Sequence, residues 1–166
     1  LRKSTYNKHM VFLMTNISRL PVTPDSSQEL VEKVMGFYEN FSKESLALLD
    51  DIYTQDVEFV DPIHKLEGML ALKTYFRGML KNMQHYEMHY NEIIVNRDCV
   101  HFSWEMNFSH RQLNKGQPIT VKGMSLLKFT SKVYYHEDCY DLGALVYEHV
   151  PVLGYLTRLL KKRMQS

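Results

Sequence analysis

The sequence predicts an α+β domain, with helices first and an antiparallel meander after them. Three patterns predict it. Apolar residues recur at helical spacing between 30 and 80, and from 100 to 108 every even position is apolar while 101–107 carry polar residues at every odd one. Further β-rich runs are then separated by turn residues, and helices segregated from strands in this way pack on one face of a sheet.

Asp25 or Ser26 can cap the first helix, with Gln28 and Glu29 in its first turn. Leu30, Val31, Val34, Phe37, Tyr38 and Phe41 then form its apolar face. Ser42 or Ser45 begins a shorter helix through Leu46, Leu48, Leu49 and Ile52. Val57-Glu58-Phe59-Val60 reads as a short strand stopped at Asp61-Pro62, because proline donates no ladder hydrogen bond. Gly68 opens a third helix, in which Leu72, Tyr75, Phe76, Met79 and Leu80 share a face. The period then changes to two. Tyr86, Met88 and Tyr90 alternate with Glu87, His89 and Asn91, and Val100, Phe102, Trp104, Met106 and Phe108 make one dry strand face. Residues 110–118 hold Asn114, Gly116 and Pro118, a long hairpin loop. Ile119 to Phe129 and Val133 to Tyr140 are the last strands, joined by a tight turn at Ser131-Lys132. After them, Leu142 to His149 reads as helical, Pro151 interrupts it, and Val152, Leu153, Leu156, Leu159 and Leu160 form an apolar stripe expected to pack on the sheet. The domain organisation expected is an extended arm over 1–25, one domain over 26–141 and a helical extension over 142–166.

Composition removes several functions. At 45% hydrophobic and 23% charged, the chain has an ordinary globular balance, and 166 residues bury one core. Its net charge is +1: both ends are basic (+3 over 1–25 and +3 over 142–166) and 26–141 is acidic (−5), so no nucleic-acid platform is expected. Two cysteines, Cys99 and Cys139, exclude a disulfide scaffold and a four-thiolate zinc site. No apolar run approaches the ~18 residues of a membrane span, and Val11-Phe12-Leu13-Met14 is too short for an export signal, so cytoplasm is the expected compartment. The basic cluster Arg158, Lys161, Lys162 and Arg163 suits a helix carboxyl end better than a membrane surface. Phosphate-binding glycine loops and a nucleophile elbow are missing, and no spacing enforces a metal site from His136-x-Asp138 with His64 or His101. No metal and no cofactor are expected.

Taken together, the helix with Tyr38, the Val57-Glu58-Phe59-Val60-Asp61-Pro62 run, the Gly68-led helix, the long strands and the final His136-Glu137-Asp138-Cys139-Tyr140-Asp141 resemble the nuclear transport factor 2-like (cystatin-like) superfamily. Within it the chain is most similar to the SnoaL-like, ketosteroid-isomerase-like branch, over about residues 28–141. The resemblance implies a curved antiparallel sheet wrapped around the N-terminal helices as a cone-shaped pocket, with a C-terminal helix added here. It also implies a homodimer through the outer sheet face, where Met124, Leu126 and Cys139 lie. Tyr38 matches the tyrosine that donates to an oxyanion in the family's steroid isomerases, and Asp61 matches their proton-shuttling aspartate. Their second oxyanion donor falls near Ser125, a departure that speaks against steroid isomerisation. Asp138 is the closest match to the acid/base aspartate of SnoaL-like cyclases.

The residue chemistry runs alongside. Alternation puts His136, Asp138 and Tyr140 on one face of the last strand and Glu137, Cys139 and Asp141 on the other. Facing the cone, Asp61, Asp138 and His136 meet an aromatic wall of Tyr38, Tyr53, Tyr75 and Trp104, with Ser125 and Tyr140 completing the expected pocket. Two carboxylates in a partly dry pocket repel, so one pKa is expected to rise, which suits proton abstraction beside a carbonyl while a tyrosine hydroxyl holds the enolate. Each residue also fits a plainer role: Asp61 as a turn former, Asp138 with His136 as a satisfied polar pair, Tyr38 and Trp104 as core. Two functions therefore stand side by side. One is an enzyme of isomerase, cyclase or dehydratase type on a small, mostly apolar molecule; the other is a non-catalytic ligand-binding or protein-interaction module.

Overall fold

The computed structural model describes residues 25–111, 113–145, 155, 159–160 and 162–164. The expected arm before Asp25 and the segment around Pro151 lie outside the described residues.

Helix α1 (Asp25–Glu39) buries Leu30, Val31, Val34 and Phe37, one stripe at helical spacing, and ends two residues before Phe41. A 3₁₀ turn (Ser45–Leu48) leads into the single turn α2 (Leu49–Ile52). Strand β1 (Tyr53–Val60) starts four residues earlier than the sequence pattern indicates. Its first half hides the alternation because the pairing of β1 slips between Tyr53 and Glu58. After the Asp61-Pro62 turn comes a three-residue strand the sequence reading misses, β2 (Lys65–Glu67), whose only intermediate-burial residue is Leu66. Gly68 then takes a positive φ of 86°, and its N–H reaches the Val57 carbonyl as α3 (Met69–Asn82) begins. Helix α3 buries Met69, Leu72 and Phe76.

Four long strands complete the sheet: β3 (Met83–Val95), β4 (Cys99–His110), β5 (Ile119–Phe129) and β6 (Val133–Tyr140). The order across it is β2-β1-β6-β5-β4-β3, so the two ends do not meet. Four of the pairings are antiparallel; β1 runs parallel to β6. Extra residues bend the strands. In β3, Tyr90 pairs with Trp104 but Glu92 pairs with Ser103, leaving Asn91 over. The inward face therefore passes from Tyr86, Met88 and Tyr90 to Ile93 and Val95. This bend and the slip in β1 curve the sheet, and the concave side receives α1 and α3 around one core.

Beyond β6, Leu142–Leu145 form the short helix α4, which contacts β5. Leu159 and Leu160, expected on a packed apolar stripe, are exposed instead. Among the described residues no helix is long and apolar enough to cross a membrane.

Candidate functional site

The concave face does not fill with side chains. A cavity of about 270 Å³ remains between α1, α3 and strands β3 to β6. Its wall is mostly apolar and aromatic, with Phe41, Phe76, Phe102, Met88 and Met106 among its members; Ser125, His136 and Asp138 add polar groups from β5 and β6. An apolar cavity of ~150 Å³ holds one benzene ring, so this one has room for roughly two fused rings.

The polar end is a connected set of hydrogen bonds. Trp104 Nε1 donates to Ser125 Oγ (2.8 Å), and Ser125 donates to Asp138 Oδ1 (2.5 Å). His136 Nε2 lies 2.8 Å from the same oxygen, and its Nδ1 is 2.8 Å from the Tyr53 hydroxyl, which is 2.9 Å from that of Tyr38. The donor order follows from the two ends. An indole N–H can only donate and a carboxylate can only accept. A neutral His136 thus carries its proton on Nε2; Nδ1 then accepts from Tyr53 at 2.8 Å, nearer than Tyr38 at 3.4 Å, which leaves Tyr38 to donate to Tyr53. Ser125 and His136 are buried, and the Asp138 side chain keeps 18% exposure. No hydrogen bond from a described residue reaches Asp138 Oδ2.

Register explains the assembly. Tyr140, Gly123, Trp104 and Tyr90 form one row across β6, β5, β4 and β3. At Gly123 the missing side chain leaves room for the indole: a Cβ built there would stand 2.3 Å from Trp104 Cζ2. The ring therefore lies across β5 and meets Ser125, two residues along the strand. Ser125 in turn is paired with Asp138.

Asp61 belongs to a different arrangement. Its Oδ1 accepts the backbone N–H groups of Ile63 (2.7 Å) and His64 (2.6 Å), and its Oδ2 accepts the Tyr75 hydroxyl (2.6 Å). Burial alone would raise its pKa, but these bonds outweigh burial and hold it below the usual carboxylate range. The direction is opposite to the one expected for a proton-abstracting base. Asp61 does not line the cavity; it braces the β1–β2 turn and orients Tyr75, which does. Tyr53 also stands behind the wall, fully buried and bonded to His136. Tyr38, Tyr75, Trp104, Ser125, His136, Asp138 and Tyr140 all reach the cavity. On β6 the alternation is as expected, with Cys139 exposed and Glu137 bonded to Tyr135 away from the cavity.

Tyr38 differs from its expected part in one respect: its hydroxyl is already engaged, 2.9 Å from that of Tyr53 and 3.4 Å from His136 Nδ1. Burial, then the neighbouring Tyr53 and Asp138, push its phenol well above the ordinary value. Two tyrosines not singled out from sequence line the cavity from β3, Tyr86 and Tyr90. Burial raises both phenols, and the negative charge of Asp138 adds to it in each. Neither hydroxyl is hydrogen-bonded to another described residue. The signal was present in the alternating Tyr86-x-Met88-x-Tyr90 run, but only sheet curvature turns that face toward Asp138. Among the described residues, no group of three or more His, Cys, Asp and Glu side chains could hold a metal ion.

Residues 34–133 match the model of the SnoaL-like domain. The chain belongs to the SnoaL-like family. Solved structures agree on the fold. A candidate SnoaL-like polyketide cyclase from Jannaschia sp. CCS1 superimposes with a TM-score of 0.67 at 15% identity, over 76% of this chain and 94% of that one. Another candidate SnoaL-like polyketide cyclase, from Shewanella putrefaciens CN-32, gives 0.62 at 16% identity over 75% and 95%. A nuclear transport factor 2-like protein of unknown function from Burkholderia pseudomallei K96243 gives 0.61 at 16% identity, over 70% and 94%. At such identities the likeness concerns the fold. No curated protein matches the sequence. In this SnoaL-like chain, the matched region spans every residue of the polar chain except His136 and Asp138, which lie just past its end.

Proposed function

We propose that this SnoaL-like domain binds a small, mostly apolar molecule in its cavity and that Asp138 moves a proton on it, in a reaction of isomerase, cyclase or dehydratase type. One observation carries the reading. Asp138 Oδ1 is fixed by Ser125 and His136, while Oδ2 has no hydrogen-bonding partner among the described residues, at the polar end of an otherwise apolar cavity. Such a carboxylate is oriented without being used up. In a ketone, it takes the proton from the carbon beside the carbonyl, and the electron pair moves to the carbonyl oxygen. Tyr86 and Tyr90, whose hydroxyls are not committed to other described residues, are the groups suited to hold that oxygen. Asp61, saturated by its turn, takes no part. The dimer and the cytoplasmic location implied by the sequence belong to the same proposal.

The test follows deuterium from D₂O into the α-carbons of 2-tetralone, a two-ring ketone matched to the cavity, by NMR. Wild-type protein should accelerate exchange, and Asp138→Asn should lower the rate by roughly 10²- to 10⁴-fold while changing ligand affinity by less than about tenfold. Asp138→Asn exchanging as fast as wild type, or no acceleration by wild type, would leave the binding module as the function.

A further inference from the structure

The cavity has a charge asymmetry that proton transfer does not require. Its described lining residues include no lysine and no arginine, yet they include the Asp138 carboxylate. Of the three histidines in the wall, His64 lies 3.2 Å from Asp61, His136 is held between Tyr53 and Asp138, and His110 sits at the end of β4. One more carboxylate stands behind the wall: Asp61, which accepts the Tyr75 hydroxyl at 2.6 Å. His136 Nε2 meets Asp138 on Oδ1 alone, and a carboxylate oxygen such as Oδ2, in mostly apolar surroundings with no partner among the described residues, gains most from a positive ligand. The remaining wall favours the same sign. Tyr86, Tyr90, Phe102, Trp104 and Tyr140 line the same cavity, and aromatic ring faces attract cations.

We propose that the cavity is a site for small organic ammonium ions, a protonated amine carried on a body of one or two rings, with the nitrogen at Asp138. The inference goes beyond the proton-transfer reading and rests only on its premise that the cavity takes a ligand. An amine seated on Oδ2 competes with a ketone for the same oxygen.

Trp104 is the sole tryptophan and lines the cavity, so its emission reports occupancy directly. Benzylamine, benzyl alcohol and benzoate are one-ring probes of nearly equal size, positive, neutral and negative at pH 7, and each is titrated against the whole chain. Benzylamine should bind roughly three- to thirtyfold tighter than benzyl alcohol, and benzoate more weakly than either. Asp138→Asn should shrink the gap between amine and alcohol to within about twofold. Benzoate binding as tightly as benzylamine overturns the proposal, as does a gap that survives Asp138→Asn. All three probes binding equally sinks this inference and leaves the ligand cavity standing, whereas failure of all three to bind removes both. If Asp138→Asn does not fold, the order of the three probes on wild-type protein still decides.

Discussion

Replacing Gly123 with alanine tests how the polar chain is held. Gly123 lies outside the positive-φ region, where alanine is normally tolerated and stabilises by about 0.4–1 kcal/mol through the unfolded chain. Here crowding reverses the sign. The added Cβ would lie 2.3, 2.4 and 2.8 Å from Trp104 Cζ2, Cη2 and Cε2. The indole cannot retreat with its backbone, since Trp104 and Gly123 are register partners in adjacent strands. It must swing into the cavity, breaking the 2.8 Å bond to Ser125. Overpacking costs about 1–3 kcal/mol and the lost hydrogen bond about 1. The sum, about 2–4 kcal/mol, corresponds to a fall in Tm of roughly 5–15 °C for a domain of this size. Thermal unfolding followed by circular dichroism measures it, and the single tryptophan gives a second reading, because a displaced indole changes its emission. A Gly123→Ala protein that melts within about 1 °C of wild type with unchanged emission would falsify the account of the indole and of the bond it makes.

Three further outcomes follow from other contacts. Asp61→Asn should cost about 1–3 kcal/mol near neutral pH, since two backbone N–H groups and Tyr75 lose a charged acceptor. Because the folded-state pKa of Asp61 lies below its unfolded value of ~3.9, its contribution is complete above that value and is lost as pH falls through the folded one. Urea denaturation should therefore show wild type and variant converging in acid, and a constant gap across pH would refute the ionised state. Tyr53→Phe should destabilise by about 1–3 kcal/mol, because the buried Nδ1 of His136 loses its nearest donor, at 2.8 Å. Tyr38→Phe removes the more distant hydroxyl, 3.4 Å from the same nitrogen, so a cost equal to that of Tyr53→Phe would contradict the donor order. Gly68→Ala, at φ 86° and ψ 154°, should cost roughly 1–3 kcal/mol by the same measurement, since only glycine sits readily there, and an unchanged midpoint would count against it.

The readable parts of the fold were those set by period and punctuation. Strand β4 alternates because one face is dry, and α3 begins at Gly68 because the chain needs a conformation that other residues avoid. Strand β2 was not readable: Lys65-Leu66-Glu67 carries one apolar side chain, and its pairing with β1 is decided by the turn that Asp61 braces. The first half of β1 was hidden for a related reason, since a pairing slip destroys the period that betrays a strand. At the site, alternation on β6 placed His136, Asp138 and Tyr140 together without any structure. It did not separate Asp61 from Asp138. One follows β1 and the other lies within β6, and the count of donors around each is what distinguishes them.

That count also says where the chemistry can lie. A carboxylate with both oxygens filled by a turn and a tyrosine, as in Asp61, has its charge stabilised already and gains little from a ligand. Asp138 receives its bonds on one oxygen, from side chains that are themselves held by Trp104 and Tyr53. Its orientation is therefore set by the sheet, while its other oxygen is left to whatever enters. The resemblance matched Asp61 to the base of steroid isomerases and Asp138 to the acid/base aspartate of SnoaL-like cyclases. The proposed function rests on Asp138, and the serine found where steroid isomerases place a second oxyanion donor is the group bonded to its Oδ1. The cavity, sized for about two rings and walled largely by aromatic and apolar side chains, is the space into which the other Asp138 oxygen opens.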